Sequence, residues 1–168
     1  MTKTITFQPL GKTLKDAGLI TASQIEVALY DQQYYKDLRI GEILAMRGWI
    51  EQNTADFFCE QWFYLIDRKQ VKPLGYYLKQ AGLLTERDIQ LILNEQKKQA
   101  LRFGTTAVMS GLLKQQTMEF FLRNLFPFQA ANFGSKIETS EPQEQQKDCI
   151  TKDDITYWAT LSVKHLLT

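Results

Sequence analysis

Apolar residues at helical spacing alternate with glycines over much of the chain. Leu10 and Leu14 lie one helical turn apart, and Gly18 follows them. Because residues four apart share one face of a helix, this pattern predicts a short helix over residues 10–17. Gly18 is expected to end that helix in the left-handed conformation, which glycine adopts without steric cost.

A second helix is predicted directly after this turn. Thr21 is followed three residues later by Gln24, which is the pattern of a capping box at a helix start. The buried face of this helix is predicted to comprise Ile25, Leu29 and Ala28. A helix of this length needs a neighbour to pack against, so we expect the helices to come in pairs.

The whole pattern is duplicated within the chain. Residues 9–32 match residues 73–96 at an offset of 64, and both copies begin with Pro-Leu-Gly. Residues 39–58 match residues 102–121 at an offset of 63, and both copies end with Phe-Phe. Each half is itself a weaker doublet, since its glycines recur after about 30 residues. Four helical units therefore begin near residues 9, 39, 73 and 102.

These repeats predict a mainly α protein with two tandem helical subdomains, each a pair of short-helix/Gly-turn/helix motifs. The first helical pair is assigned to residues 1–68 and the second to residues 69–127. Residues 128–168 are assigned to an irregular linker and a C-terminal helix.

The cap residues differ between the units of each half. In the third unit Thr85 and Asp88 repeat the capping pattern. In the second and fourth units the cap positions hold Glu51 and Lys114, so the sequence defines those helix starts less sharply.

The tail departs from the repeat. Residues 127–134 are expected to form a short hairpin or an irregular cover over the last unit, and residues 138–147 a polar linker. A last helix is predicted over residues 152–167. We expect its Trp158 and Leu161 to pack on the main body rather than on a partner.

Charge and composition exclude several classes of protein. The formal net charge is +1 with scattered Lys and Arg, so no basic stripe indicates nucleic-acid binding. The longest apolar run, residues 62–66, is far shorter than the roughly 20 residues of a membrane span. No signal-peptide pattern is visible at the start, and Cys59 is expected to be a small buried residue. We therefore expect a soluble cytoplasmic protein without membrane insertion.

Catalytic chemistry is not indicated. His165 is the only histidine and is expected to cap or pack at the end of the last helix. No Ser-His-Asp, Cys-His or metal-ligand spacing is present. Asp153 and Asp154 match a helix start rather than an acid–base pair. We expect no enzyme activity, no cofactor and no metal.

The repeated unit resembles a known motif. Arg-Leu-Gly-x-x-Leu-x-x-x-Gly-x-Ile followed by Leu-x-x-x-Leu-x-x-Gln is typical of the N-terminal domain of type II secretion and type IV pilus assembly ATPases. That domain is called the MshE N-terminal domain where it binds cyclic di-GMP. The resemblance covers about residues 9–126, and no Walker A sequence accompanies it. Residues 120–128 and the tail are also similar to the end of PATAN-type signalling domains.

The resemblance implies a set of ligand-binding residues. In that family the motif Arg and Gln contact guanine and phosphate groups, and the leucines pack beside them. Prolines replace Arg in the first motif of each half, and Trp62 and Leu125 stand where the second motifs would end in Gln. Each half therefore keeps one Arg and one Gln. The candidate ligand-binding residues are Leu10, Gly11, Leu14, Gln32, Arg39, Gly41, Leu74, Gly75, Leu78, Gln96, Arg102 and Gly104.

Two functional hypotheses follow. The first is a non-catalytic regulatory or adaptor protein of a bacterial signalling, pilus or secretion pathway, binding a pilus or secretion ATPase or a response-regulator pathway protein. Its support is the excess of aromatic residues over what two small cores need, although packing between the halves would also bury some. The alternative is a cyclic di-GMP receptor that uses Gln32 with Arg39 and Gln96 with Arg102. The competing interpretation of both arginines is that they are surface residues beside a glycine turn.

Overall fold

The computed structural model describes residues 8–131 and 133, and within them every regular element is helical. The elements of the first half are α1 (Leu10–Asp16), α2 (Ala22–Tyr34), α3 (Ile40–Met46), α4 (Gln52–Asp56), a π-helical turn (Phe57–Gln61) and α5 (Trp62–Ile66). Those of the second half are α6 (Leu74–Gln80), α7 (Glu86–Gln99), α8 (Phe103–Met109) and α9 (Gln115–Leu125), followed by α10 (Pro127–Ala130). The mainly α prediction is confirmed.

The first helix of each repeat unit, α1, α3, α6 or α8, is followed by a glycine in the left-handed conformation. Gly18 has φ +70°, and its N–H donates to the carbonyl of Lys15 while the N–H of Leu19 donates to that of Leu14. This pair of bonds is a Schellman motif, which satisfies carbonyls that the helix end leaves unpaired. The same two bonds recur at the other left-handed glycines, Gly48, Gly82 and Gly111. The predicted glycine stop is confirmed.

The predicted capping boxes are also present. The Thr21 hydroxyl accepts from the Gln24 N–H at 3.2 Å, and the Gln24 side chain accepts from the Thr21 N–H at 2.8 Å. Thr85 and Asp88 make the same pair of bonds. The Thr85 hydroxyl also donates to the Asp88 carboxylate at 2.6 Å, and this bond, together with the one from the Thr85 N–H, lowers the pKa of Asp88. Glu51 and Lys114 occupy the cap positions of α4 and α9 without a capping side-chain bond.

The prediction that Leu29 is buried is wrong, since 51% of its surface is exposed. Successive residues lie about 100° apart around a helix, and α2 buries the side that carries Ala28 and Asp31. In α7 the corresponding Leu93 is only 8% exposed, because that helix buries Ile92 and Leu93 together. The two copies therefore bury faces of different width.

One hydrophobic core runs through both halves. At its centre the Phe57 ring stacks on Phe121 at 6.3 Å between centroids, and Phe58 contacts Phe120 at 6.3 Å. Trp62 stacks on Phe120 at 4.9 Å. Since Phe57-Phe58 and Phe120-Phe121 are duplicates, these contacts are reciprocal, as in an isologous dimer interface. Trp62, which we counted among the aromatic residues in excess of what two small cores need, is therefore buried between the halves rather than exposed to a partner.

Helix caps are also exchanged between the halves, since side chains at a helix start in one half bond carbonyls at a helix end in the other. The Thr54 hydroxyl of α4 donates to the carbonyl of Ala81, at the end of α6, at 2.8 Å. In return Lys114 and Gln116, at the start of α9, donate to carbonyls at the end of α1. The start of one repeated helix thus caps the end of another in the opposite half.

The Cys59 and hairpin predictions need correction. Cys59 is exposed because it faces away from the side of the helix that buries Phe58 and Trp62. Residues 127–130 form the short helix α10 rather than a hairpin. Pro127 lies in its first turn, where a backbone N–H would have no partner within the helix, so the missing N–H of proline costs nothing. The predicted linker and C-terminal helix lie outside the described residues.

Candidate functional site

The motif leucines lie in the hydrophobic core. Leu14 and Leu78 are fully buried, Leu74 is nearly so, and Leu10 is half-buried against the core. These positions therefore stabilise the fold and leave little apolar surface for a bound ring.

The motif glycines, all buried, allow close packing between helices. A Cβ atom at Gly41 would lie 3.1 Å from the Cβ of Ala55, and one at Gly104 would lie 3.0 Å from the ring of Phe133. A Cβ at Gly11 would lie 3.4 Å from the Ile25 side chain. At Gly11, Gly41 and Gly104 the neighbour that a side chain would meet is thus a side chain of the core.

The two motif arginines lie directly before α3 and α8 as N-cap residues. Arg39 and Arg102 are exposed, and among the described residues neither guanidinium forms a hydrogen bond or a salt bridge. The Gln32 side chain donates to the carbonyl of Leu38 at 3.2 Å, so it reaches the residue before Arg39. Gln96 is instead buried in α7. Of the candidate glutamines, Gln32 therefore bonds to the backbone of the residue that precedes its Arg.

An ion pair that the sequence did not reveal joins α2 to the turn after α3. The guanidinium of Arg47 binds the carboxylate of Asp31 through two hydrogen bonds and lies 5.2 Å from the ring centroid of Trp49. The bond to Arg47 lowers the pKa of Asp31. This bidentate ion pair holds α2 against the turn that follows α3.

Two tyrosines form an exposed pair on α2. Tyr30 and Tyr34 are 56% and 69% exposed, their hydroxyls lie 2.8 Å apart, and their rings meet edge to face. The hydrogen bond between the two hydroxyls raises the pKa of Tyr34. Val27, one turn earlier, is also exposed. We call Val27, Tyr30 and Tyr34 the α2 tyrosine surface.

The duplicated helix keeps an exposed apolar residue, Leu91, at the position of Val27 but lacks the two tyrosines. At the offset of 64, Tyr30 corresponds to Asn94 and Tyr34 to Lys98, and both residues of α7 are exposed and polar. Since most of the surrounding pattern is conserved between the copies, the tyrosine pair is a feature of the first half alone.

A cleft of about 480 Å³ lies between the end of α1, the start of α2 and α9. Its lining residues are Lys15, Asp16, Gly18, Leu19, Ile20, Thr21, Ala22, Lys114, Gln116 and Arg123. The cleft forms where α9 caps α1, because the Lys114 ammonium donates to the Gly18 carbonyl at 3.1 Å. Residues about 100 positions apart thus line one depression.

Other candidate chemistry is limited. The pKa of the Cys59 thiol is raised by partial desolvation and by the Asp56 and Glu60 carboxylates, so little of it is thiolate at neutral pH. The described residues hold no cluster of three or more His, Cys, Asp or Glu side chains suited to a metal. Among their helices, none combines the length and the apolar character of a membrane span.

Comparison with known proteins gives a relative of unassigned role. The chain is 50% identical over 121 residues to an uncharacterized protein of Picosynechococcus sp., a match that covers 70% of this chain. The match spans 64% of the length of that relative. No protein-family model and no solved structure matches the chain.

Proposed function

We propose that the protein is a non-catalytic adaptor that binds another protein through the α2 tyrosine surface. The observation that carries this proposal is the exposed pair of Tyr30 and Tyr34, which α7 replaces with polar residues. The protein would act in the cytoplasm, in a bacterial signalling, pilus or secretion pathway.

Tyrosine suits this role for physical reasons. It offers a large contact area with only two side-chain torsions, so little conformational entropy is lost when a partner orders it. Its hydroxyl can also form hydrogen bonds at the rim of an interface. The contact between Tyr30 and Tyr34 already restrains both rings, which lowers the entropic cost of binding further.

The partner class follows from the resemblance to secretion and pilus ATPases. We propose that a pilus or secretion ATPase, or a response-regulator pathway protein, docks on the α2 tyrosine surface. The chain itself would supply the folded platform and no catalytic group.

A binding assay with purified candidate partners tests this proposal. The double variant Tyr30→Asn/Tyr34→Lys gives α2 the residues that α7 already carries, so the helix should stay folded. A Val71→Ser variant is the matched control, because Val71 is 88% exposed and lies outside the surface. We expect a candidate partner to bind the wild type and the control but not the double variant. The adaptor proposal would be contradicted if no candidate partner bound the wild type, or if a partner bound the wild type, the control and the double variant equally.

A second candidate function is cyclic di-GMP binding. The observation in its favour is that the guanidinium groups of Arg39 and Arg102 are exposed and unpaired within the described residues. Calorimetric titration with cyclic di-GMP, repeated on Arg39→Ala and Arg102→Ala, tests it. Heat of binding that both substitutions reduce would favour the receptor, and no heat with the wild type would exclude it.

A further inference from the structure

The cleft between α1 and α9 gathers positive charge from remote parts of the chain. Lys15, Lys114 and Arg123 line it, and Asp16 is the one carboxylate among its lining residues. Cations held close together repel one another, and a bound anion would relieve that repulsion. A cluster of this kind therefore attracts an anion.

The cations of the cleft retain unused hydrogen-bond donors. The Lys114 ammonium donates one of its three N–H groups to the Gly18 carbonyl, which leaves two donors for a ligand. Within residues 8–131 and 133, the side chains of Lys15 and Arg123 form neither a hydrogen bond nor a salt bridge, and both residues are exposed.

The duplicated position carries the opposite charge. At the repeat offsets, Lys114 corresponds to Glu51 and Arg123 to Glu60, while Ala22 corresponds to Glu86. Lys15 corresponds to Lys79, which is paired with Glu86 at 2.6 Å. The corresponding positions of the other half thus carry mostly negative charge, although Glu60 lies in the π-helical turn and Arg123 in the regular helix α9. Positive charge at these positions is therefore not a requirement of the repeat.

We propose that the α1–α9 cleft binds the phosphate group of a small molecule. Charge-assisted bonds from ammonium and guanidinium groups are the strongest that such an anion can form, and Arg123 can engage two of its oxygens. The volume of about 480 Å³ lies within the usual range for small-molecule sites. Three cationic side chains around one depression of this volume favour such a ligand over an extended acidic peptide. The site is separate from the α2 tyrosine surface.

Amide chemical-shift titration at low ionic strength tests the proposal, with pyrophosphate as the probe. We expect saturable shifts for Gly18, Leu19 and Ala22, and none at the duplicated positions Gly82 and Leu83. Inorganic phosphate should bind the same residues more weakly. A hexaglutamate peptide that shifts these amides when pyrophosphate does not would overturn the proposal in favour of a peptide site.

Charge-reversal variants separate a built site from general electrostatics. Arg123→Glu introduces the residue that the other half carries at this position, and Lys97→Glu makes the same charge change on an exposed residue of α7. We expect Arg123→Glu to weaken pyrophosphate binding by roughly tenfold, while Lys97→Glu leaves it nearly unchanged. Equal losses in the two variants, or shifts that never saturate, would overturn the proposal. The exposed Arg123 side chain forms no hydrogen bond or salt bridge within the described residues, so we expect an unchanged melting temperature, which keeps the comparison valid.

Discussion

The hydrogen bond between Thr54 and Ala81 permits a sharp test of the exchanged helix caps. Replacing Thr54 with valine keeps the shape of a buried side chain but removes the hydroxyl that donates to the Ala81 carbonyl at 2.8 Å. An unsatisfied buried hydrogen-bonding group costs about 1–3 kcal/mol. For a chain of this size, each kcal/mol lowers the melting temperature by about 2–4 °C.

Thr106→Val is the matched control for this experiment. The buried Thr106 hydroxyl donates to the Arg102 carbonyl at 3.1 Å, but that carbonyl also accepts from the Thr106 N–H at 2.9 Å. The control should therefore cost less than about 1 kcal/mol, since the carbonyl keeps one donor. Urea unfolding followed by circular dichroism measures both free energies of unfolding. If Thr54→Val costs no more than Thr106→Val, the exchanged cap does not stabilise the fold.

Two further predictions concern stability. Gly48→Ala and Gly82→Ala should each cost about 1 kcal/mol, because both glycines are left-handed. The two costs should be similar: nothing lies within 4 Å of a Cβ at Gly48, and the atoms nearest to a Cβ at Gly82 belong to the amide end of the exposed Asn53 side chain, which can move aside. A loss for Gly82→Ala several times that for Gly48→Ala would refute this. The hydrogen bond from Arg47 lowers the pKa of Asp31. The ion pair therefore stabilises the folded state fully above the unfolded-state pKa of about 4, and this stabilisation is lost as the pH falls through the lower folded-state pKa. Urea midpoints measured from neutral to acidic pH should fall more for the wild type than for Asp31→Asn, and parallel curves would contradict the assignment.

Features set by local chemistry could be predicted from the sequence. A glycine after a short apolar helix predicts a left-handed stop, and Gly18 has this conformation. Thr21 with Gln24 predicts a capping box because both bonds form within one helical turn. Such features need no knowledge of the neighbouring helices.

Burial could not be predicted in the same way, because it depends on what each helix packs against. Leu29 and Leu93 occupy duplicate positions, yet the first is exposed and the second buried. The periodicity of α2 alone cannot say how wide its buried face is. Cys59 follows two buried phenylalanines but lies on the other side of its helix.

The candidate site was the hardest part to predict. The cleft joins Lys15 to Lys114 and Arg123 across about 100 residues, and only the folded chain shows that α9 caps α1. The repeat offsets did contain one usable signal. They pair Lys114 with Glu51 and Arg123 with Glu60, so the charge of two cleft residues is reversed between the copies.

Photo-crosslinking from the α2 tyrosine surface tests the adaptor proposal most directly. Benzoylphenylalanine would replace Tyr30 in one protein and the duplicate residue Asn94 in another, and adducts formed in cells would be identified by mass spectrometry. We predict an adduct with a signalling, pilus or secretion protein from position 30 and none from position 94. Adducts from position 94 alone, or the same adducts from both positions, would contradict the proposal that the tyrosine surface binds the partner.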